Sequence, residues 1–131
     1  MNKTSAIHVS CAIIEYNGKI LAAQRGQHTS NAGKWEFPGG KIEKGETPET
    51  CLRREIQEEL AIGIAIKATL PVFTHQYPDR TICLHPFVCN YNGAAVNAGE
   101  HQNIAWLIPE EIPQLNWSEA DIKVWEYYLN L

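Results

Sequence analysis

The chain of 131 residues is 44% apolar, which is ordinary for a globular protein, and as one domain it can bury about two-thirds of its unfolded surface. We therefore predict a single domain over residues 1–131. The net charge of −4 lacks the basic surface that binding to a nucleic acid polymer needs, so we expect no such partner.

The N-terminal half begins with a predicted β-hairpin. Residues 7–16 are rich in β-branched residues and alternate, Asn17-Gly18 is a strong turn signal, and residues 19–25 read as the return strand. A polar loop follows over residues 26–34. The paired glycines Gly39 and Gly40 then allow the backbone to approach a ligand closely.

A helix is predicted over residues 48–60. Thr47 is a suitable N-cap, and Pro48 fits the first helical position, where its missing N–H costs nothing. Leu52, Ile56 and Leu60 recur every four residues and predict the buried stripe.

The C-terminal half alternates strands and turns before a last helix. Residues 64–76 and 81–91 predict a second hairpin, and residues 104–107 a short final strand after the loop 92–103. Residues 109–112 form a helical turn, and Ser118 opens a helix whose apolar positions include Val124 and Trp125. These elements predict an α/β fold with three layers.

No apolar run reaches the length of a membrane span and no signal peptide is recognisable, so we expect no membrane partner and a cytoplasmic location. The cysteines show no C-x-x-C spacing, and we expect buried reduced thiols rather than a zinc site. They are Cys11, Cys51, Cys83 and Cys89.

Three carboxylates share one narrow face of the predicted helix. Glu55, Glu58 and Glu59 stand at i, i+3 and i+4. Like charges at this spacing each cost about 0.2–0.5 kcal/mol in an isolated helix, and anions near the C-terminal end also oppose the helix dipole. A solvated acidic face is the ordinary interpretation. A hard divalent cation bound by oxygen ligands would reverse the cost, so the pattern also indicates a metal site.

A longer motif surrounds these carboxylates. It begins at Gly40, continues after five residues with Glu46, and after seven more with residues 54–62, Arg-Glu-Ile-Gln-Glu-Glu-Leu-Ala-Ile. This pattern resembles the signature of the Nudix hydrolases. One position differs, because Ala61 replaces the glycine that usually ends the helix in a left-handed conformation, and we predict that Gly63 takes this C-cap role.

Other segments resemble the MutT branch of that family, among them residues 35–40 and 78–80. Residues 100–102 and 120–122 look most like its CTP pyrophosphohydrolase relatives. The resemblance implies an α/β/α sandwich of the Nudix type, with a mixed β-sheet between helices. It also implies Mg²⁺-dependent cleavage of a nucleoside triphosphate to the monophosphate and pyrophosphate, with Mn²⁺ as a substitute for Mg²⁺.

The resemblance assigns roles to individual residues. Glu55 is our choice of general base, although Glu58 and Glu100 remain open. Glu46 and Arg54 support the site as an ion pair; the alternative is an unimportant surface pair. The metal ligands that the resemblance implies are Gly39, through its carbonyl, Glu55, Glu58, Glu59 and Glu100.

The resemblance also implies a substrate site. Arg25 suits the phosphates or sugar because its guanidinium binds oxyanions in a fork geometry. Phe37 is expected to wall the base pocket or else to belong to the core. Asp121 either recognises the base edge or closes a capping box with Ser118. The predicted substrate-binding residues are Arg25, Glu36, Phe37, Pro38, Gly39 and Asp121.

Several alternatives stay open at this point. Cytosine nucleotides are the first choice of substrate and 8-oxo-dGTP the second. Other candidates are ADP-ribose, a nucleotide sugar, a dinucleoside polyphosphate, or a catalytically silent nucleotide-sensing module. The oligomeric state is open between monomer and homodimer. The loop histidines His28 and His101 receive no role.

Overall fold

A computed structural model describes residues 6–97, 99, 101 and 103–131. Within these residues the chain forms eight strands, two α-helices and one 3₁₀ helix. In chain order they are β1 Ala6–Tyr16, β2 Lys19–Gln24, β3 Trp35–Glu36, β4 Gly39–Lys41, α1 Pro48–Leu60, β5 Ile64–Thr69, β6 Phe73–Tyr77, β7 Arg80–Tyr91, β8 Asn103–Leu107, the 3₁₀ helix Pro109–Gln114 and α2 Glu119–Leu129. No helix in the described part of the chain is long and apolar enough to cross a membrane.

Strand β1 is the centre of a mixed sheet. One of its edges pairs in parallel with β7 along almost its whole length. Its other edge pairs with β4 near its start and with β2 near its end, both antiparallel. The β1–β2 turn has positive φ at Asn17 (51°) and Gly18 (76°), as a two-residue hairpin requires. Strands β2 and β4 therefore pair with different stretches of the same edge of β1.

Alternate residues of β1 serve two cores. Ala12 and Ile14 join the cluster under α1, which includes Leu52, Ile56 and Leu60. Ile13 faces the opposite side and joins the cluster under α2, whose contributions include Val124 and Trp125. A strand buried on both faces has to be apolar throughout, which explains the continuous run at residues 11–14. The predicted three-layer α/β/α sandwich is confirmed.

Helix α1 has the predicted limits. The Thr47 side-chain oxygen accepts a hydrogen bond of 3.1 Å from the Thr50 N–H. At the other end, Ala61 itself adopts the left-handed conformation (φ 58°, ψ 36°), and its N–H donates to the Gln57 carbonyl at 3.0 Å. The prediction that Gly63 takes this role is wrong. The chain must turn directly after Leu60 so that Ile62 can be buried, and Gly63 comes two residues too late.

Two predictions about the strands also need correction. The predicted strand 64–76 is two strands, β5 and β6, because Pro71 has no N–H for the ladder and the Leu70 N–H instead donates to the Pro86 carbonyl at 3.0 Å. The short strands β3 and β4 were not predicted. All four cysteines are buried and none forms a disulfide, as expected.

Candidate functional site

A cleft of about 230 Å³ opens on the α2 side of the sheet and brings together residues from distant parts of the sequence. Five of the six predicted substrate-binding residues line it: Arg25, Glu36, Phe37, Gly39 and Asp121. Pro38 does not line the cleft; it is fully buried, and its carbonyl accepts a 2.8 Å hydrogen bond from the Ala12 N–H. Pro38 therefore anchors the strand connection to β1 instead of facing a substrate.

The two glycines of β4 fit their surroundings for different reasons. A Cβ at Gly39 would lie 1.8 Å from the Ser10 carbonyl oxygen, so only glycine allows β4 to pair so closely with β1. A Cβ at Gly40 would lie 2.1 Å from Oε2 of Glu55. The Glu55 carboxylate thus packs directly against the backbone of β4, and α1 and the glycine strand meet at this contact.

Glu46 and Arg54 form the predicted ion pair. Arg54 donates from Nε to Glu46 Oε2 at 2.7 Å and from Nη2 to Oε1 at 2.9 Å. Glu46 Oε1 also accepts the Glu43 N–H at 2.8 Å, which ties the loop before α1 to the helix. The hydrogen bonds from Arg54 lower the pKa of Glu46 to about 2. The pair is fully ionised at neutral pH and holds the loop and the helix together.

The same arginine neutralises part of the acidic face. Arg54 Nη1 lies 3.2 Å from Glu58 Oε1 and 3.5 Å from Glu55 Oε1. Burial raises the pKa of Glu55, Arg54 opposes this shift, and the charges of Glu58 and Glu59 add to it. A carboxylate whose pKa is raised towards the working pH is suited to accept a proton.

We call Glu55, Glu58 and Glu59 the carboxylate cluster. Glu59 shares a smaller pocket of about 160 Å³ with Gly39 and His101, adjoining the cleft. The loop residue Gly99 lies directly against it, since a Cβ there would be 2.6 Å from Glu59 Oε2.

The carboxylate cluster and the Gly39 carbonyl offer only oxygen atoms as metal donors. Oxygen donors fit a hard cation such as Mg²⁺. In the described residues no three His, Cys, Asp or Glu side chains are already placed around one point as metal ligands, and Arg54 holds Glu58. Glu100, predicted as a further ligand, lies outside the described residues.

A second network lies where the cleft adjoins the smaller pocket. Arg25 donates from Nη1 to Glu36 Oε1 at 3.0 Å and from Nε to the Ser30 carbonyl at 2.6 Å. Glu36 Oε2 lies 3.0 Å from His101 Nε2, and this hydrogen bond raises the pKa of His101. Because its partner Glu36 is 65 positions away, no local sequence signal could have identified His101.

Asp121 is buried, with 5% of its surface exposed. Its Oδ2 accepts the Phe37 backbone N–H at 2.9 Å, and Ser118 makes no side-chain cap. The capping-box interpretation is therefore wrong. Burial and the neighbouring charge of Glu36 raise the pKa of Asp121 well above that of a free carboxyl. Phe37 belongs to the core, where it packs on Trp117 at 4.9 Å between ring centroids, and it also lines the cleft.

The N-terminal end of α2 reaches the cleft through backbone pairing. The Trp35 N–H donates to the Asn116 carbonyl at 2.8 Å, and the Ser118 N–H donates to the Trp35 carbonyl at 2.9 Å. The Tyr77 hydroxyl accepts the Ala120 N–H at 3.1 Å from the other side. These contacts fix Asp121 beside Phe37, although the two residues are 84 positions apart.

Comparison with known proteins gives the family. The family model of the NUDIX domain matches residues 4–128. The CTP pyrophosphohydrolase of Escherichia coli (strain K12) is 40% identical over 126 residues, covering 95% of this chain and 93% of that protein. The 8-oxo-dGTP diphosphatase of Proteus vulgaris is 40% identical over 83 residues, covering 63% of this chain and 74% of that protein.

A solved structure agrees with these similarities. The solution structure of the E. coli ORF135 protein superposes with a TM-score of 0.82 at 37% identity and covers 98% of this chain and 91% of that one. The fold, the packing of the glycine strand β4 on the acidic helix α1, and the sequence similarity along the chain all indicate the same family. The chain belongs to the Nudix family and is a Nudix hydrolase.

Proposed function

We propose that the protein is a Mg²⁺-dependent nucleoside triphosphate pyrophosphohydrolase, which converts a nucleoside triphosphate and water to the monophosphate and pyrophosphate. The observation that carries this proposal is the single cleft that joins Asp121, deep on the α2 side, to Gly39 and Gly40, whose strand packs on Glu55 of α1. A base held at the first end places the phosphates of its nucleotide near the second. Similarity to a CTP pyrophosphohydrolase over most of the chain supports the same activity.

The carboxylate cluster, the Gly39 carbonyl and Glu100 would hold Mg²⁺, with Mn²⁺ as a substitute. Bound there, the metal would neutralise the triphosphate, polarise the phosphoryl oxygens and lower the pKa of bound water. The rest of the reaction depends on side chains. Arg25, fixed by Glu36 and the Ser30 carbonyl, presents its positive charge at the mouth of the cleft and binds phosphate or sugar oxygens.

Glu55 is the proposed general base. Its carboxylate is held against Gly40, and its raised pKa favours removal of a proton from the water that attacks the β-phosphorus. The Glu46–Arg54 pair acts as support, because it fixes the angle between the loop and α1 on which the Glu55 position depends. The nucleoside monophosphate then leaves, and pyrophosphate carries the oxygen of the attacking water.

Asp121 is the proposed determinant of base choice. An ionised carboxylate only accepts hydrogen bonds, so it pairs with a base edge that donates, such as the N4 amino group of cytosine or the N1/N2 edge of guanine. Cytosine nucleotides are the proposed first choice and 8-oxo-dGTP the second, and removal of such nucleotides would serve to cleanse the nucleotide pool.

The test is a product analysis with CTP as substrate in Mg²⁺, in EDTA, and after Mg²⁺ or Mn²⁺ is restored. We expect CMP and pyrophosphate as primary products, loss of activity in EDTA and its return with either metal. Release of CDP and orthophosphate would contradict attack at the β-phosphorus. Full activity in EDTA would contradict the metal site.

A further inference from the structure

Two histidines from different strands meet on the α1 side of the sheet. His8 lies in β1 and His85 in β7, and the backbone partner of His85 across the parallel ladder is Ser10. The Ser10 hydroxyl donates to the Pro48 carbonyl at 2.8 Å, which places this group of residues beside the first turn of α1. The pair takes no part in the cleft or the carboxylate cluster.

The two imidazole rings bring one nitrogen each to hydrogen-bond distance. Nδ1 of His8 and Nε2 of His85 are 2.9 Å apart, with ring centroids 5.2 Å apart and ring planes at 49°. Two nitrogens each about 2.0–2.1 Å from a metal lie about 2.9 Å apart when the ligand angle is about 90°, and about 3.4 Å apart when it is tetrahedral. The hydrogen-bonded separation of 2.9 Å is close to both spans, so a small rotation of the rings would let both nitrogens bind one ion.

We propose that His8 and His85 form a binding site for a divalent transition-metal ion that imidazole binds well, such as Ni²⁺ or Cu²⁺, separate from the carboxylate cluster. In the metal-free protein one imidazole donates to the other. Binding moves that proton to the far nitrogen of the donating ring, and both facing nitrogens then offer lone pairs. No third His, Cys, Asp or Glu in the described residues completes the site, so water fills the remaining positions.

The surroundings leave the site open to metal. His8 is exposed, which gives an ion access from solvent. Cys83 is the backbone partner of His8, but its Sγ is 3.4 Å from the Thr74 hydroxyl and engaged there. Burial and the neighbouring His8 lower the pKa of His85, and an imidazole binds metal in its neutral form.

The two sites should select different metals. Imidazole nitrogen suits Ni²⁺ and Cu²⁺, whereas the oxygen donors of the carboxylate cluster suit Mg²⁺. They also lie on opposite sides of β1, because Glu55 packs on Gly40 of β4, which pairs with one edge of β1, and His85 belongs to β7, which pairs with the other edge. Saturation of the cluster with Mg²⁺ therefore leaves the histidine pair free for titration.

The test is Ni²⁺ titration in saturating Mg²⁺, followed by calorimetry and by NMR of the ¹⁵N-labelled histidine rings. We expect one Ni²⁺ per chain, with selective broadening of the His8 and His85 signals. At roughly one hundred times its Kd, Ni²⁺ should raise the Tm by about 5 °C or more. His8→Asn and His85→Asn should each abolish these effects, while His28→Asn, a matched change of an exposed loop histidine, should retain them.

Three outcomes would overturn the proposal: no Ni²⁺ binding at tenfold molar excess, broadening confined to other histidines, or binding that survives His8→Asn. Because His8 is exposed, His8→Asn is expected to fold, and its far-UV circular dichroism and Mg²⁺-supported activity should match the wild type. The result for His8→Asn decides the question even if His85→Asn unfolds.

Discussion

At the residue scale, the carboxylates of this protein are distinguished by their partners. Glu46 and Glu55 lie in the same motif, but Arg54 lowers the pKa of the first to about 2, whereas burial raises the pKa of the second. A permanently ionised residue can hold a loop, and a residue with a raised pKa can take up a proton. Their environments therefore suggest different roles for two chemically similar side chains.

The role of Glu55 can be tested by Glu55→Gln. The amide keeps the shape of the side chain against Gly40 but cannot accept the proton, so kcat should fall by about 10²–10⁴. The Tm should be unchanged or higher, since a partly buried charge beside two like charges is removed. Glu49→Gln, an exposed change on the same helix, is the matched control and should keep full activity. Near wild-type kcat in the first variant would refute the assignment.

Asp121 predicts a pH-dependent stability difference. Its folded pKa is raised by burial, so above the unfolded value of about 4 the folded state retains a proton that the unfolded state has lost, and stability falls as the pH rises. Asp121→Asn removes this effect, and its oxygen can still accept from the Phe37 N–H. The variant should therefore have the higher Tm at pH 8, with the advantage shrinking towards pH 4.

Thermal unfolding between pH 4 and pH 8 checks this prediction. Asp79→Asn is the control, because Asp79 lies in the β6–β7 turn with 71% of its side chain exposed. It should show little difference at any pH. If the Tm of Asp121→Asn falls relative to that of the wild type as the pH rises from 4 to 8, the prediction is contradicted. The ionised carboxylate would then be stabilised by its surroundings.

At the element scale, the backbone is strained at the C-terminal end of α1, and one substitution can relieve that strain. Ala61 occupies the left-handed region, which costs a residue with a Cβ about 1–2 kcal/mol. Ala61→Gly relieves this cost but adds about 0.4–1 kcal/mol of unfolded-state entropy, so the net gain should be about 0.5–1 kcal/mol. Urea unfolding measures it. Ala95→Gly, at an exposed loop alanine without positive φ, should be neutral or destabilising.

Elements with local signals were predictable, and elements held by distant partners were not. Helix α1 matches its prediction because Thr47, Pro48 and the apolar stripe all lie within or next to it. Strands β3 and β4 have two and three residues, too few for a periodic pattern, and exist through pairing with β2 and β1. The Asp121–Phe37 bond spans 84 positions and overrides the local capping pattern.

At the scale of the whole molecule, the sheet separates two tasks. Helix α1 lies on one face and carries the carboxylate cluster, and α2 lies on the other and carries Asp121. The cleft opens on the α2 face and includes Gly39 and Gly40 of β4, the strand on which Glu55 of α1 packs. In the proposed function, base choice and phosphate chemistry would therefore depend on different faces of the sheet, and a change at Asp121 should alter the ratio of substrates more than the cleavage itself.

The last prediction joins base choice to pH. Above the raised pKa of Asp121 its carboxylate only accepts hydrogen bonds, so it pairs with cytosine N4 and opposes uracil O4, at a cost of roughly 1–3 kcal/mol, or about 5- to 150-fold in kcat/KM. Below that pKa the carboxyl can donate to O4, and the preference for CTP over UTP should shrink as the pH falls. Asp121→Asn, which can donate at every pH, should show a small CTP-to-UTP ratio of kcat/KM without pH dependence.

Measurement of kcat/KM for both nucleotides between pH 5 and 9 tests the role of Asp121 in base choice. Equal efficiency for CTP and UTP at high pH, unchanged in the variant, would remove Asp121 from base recognition and leave it as the buried acceptor that fixes Phe37.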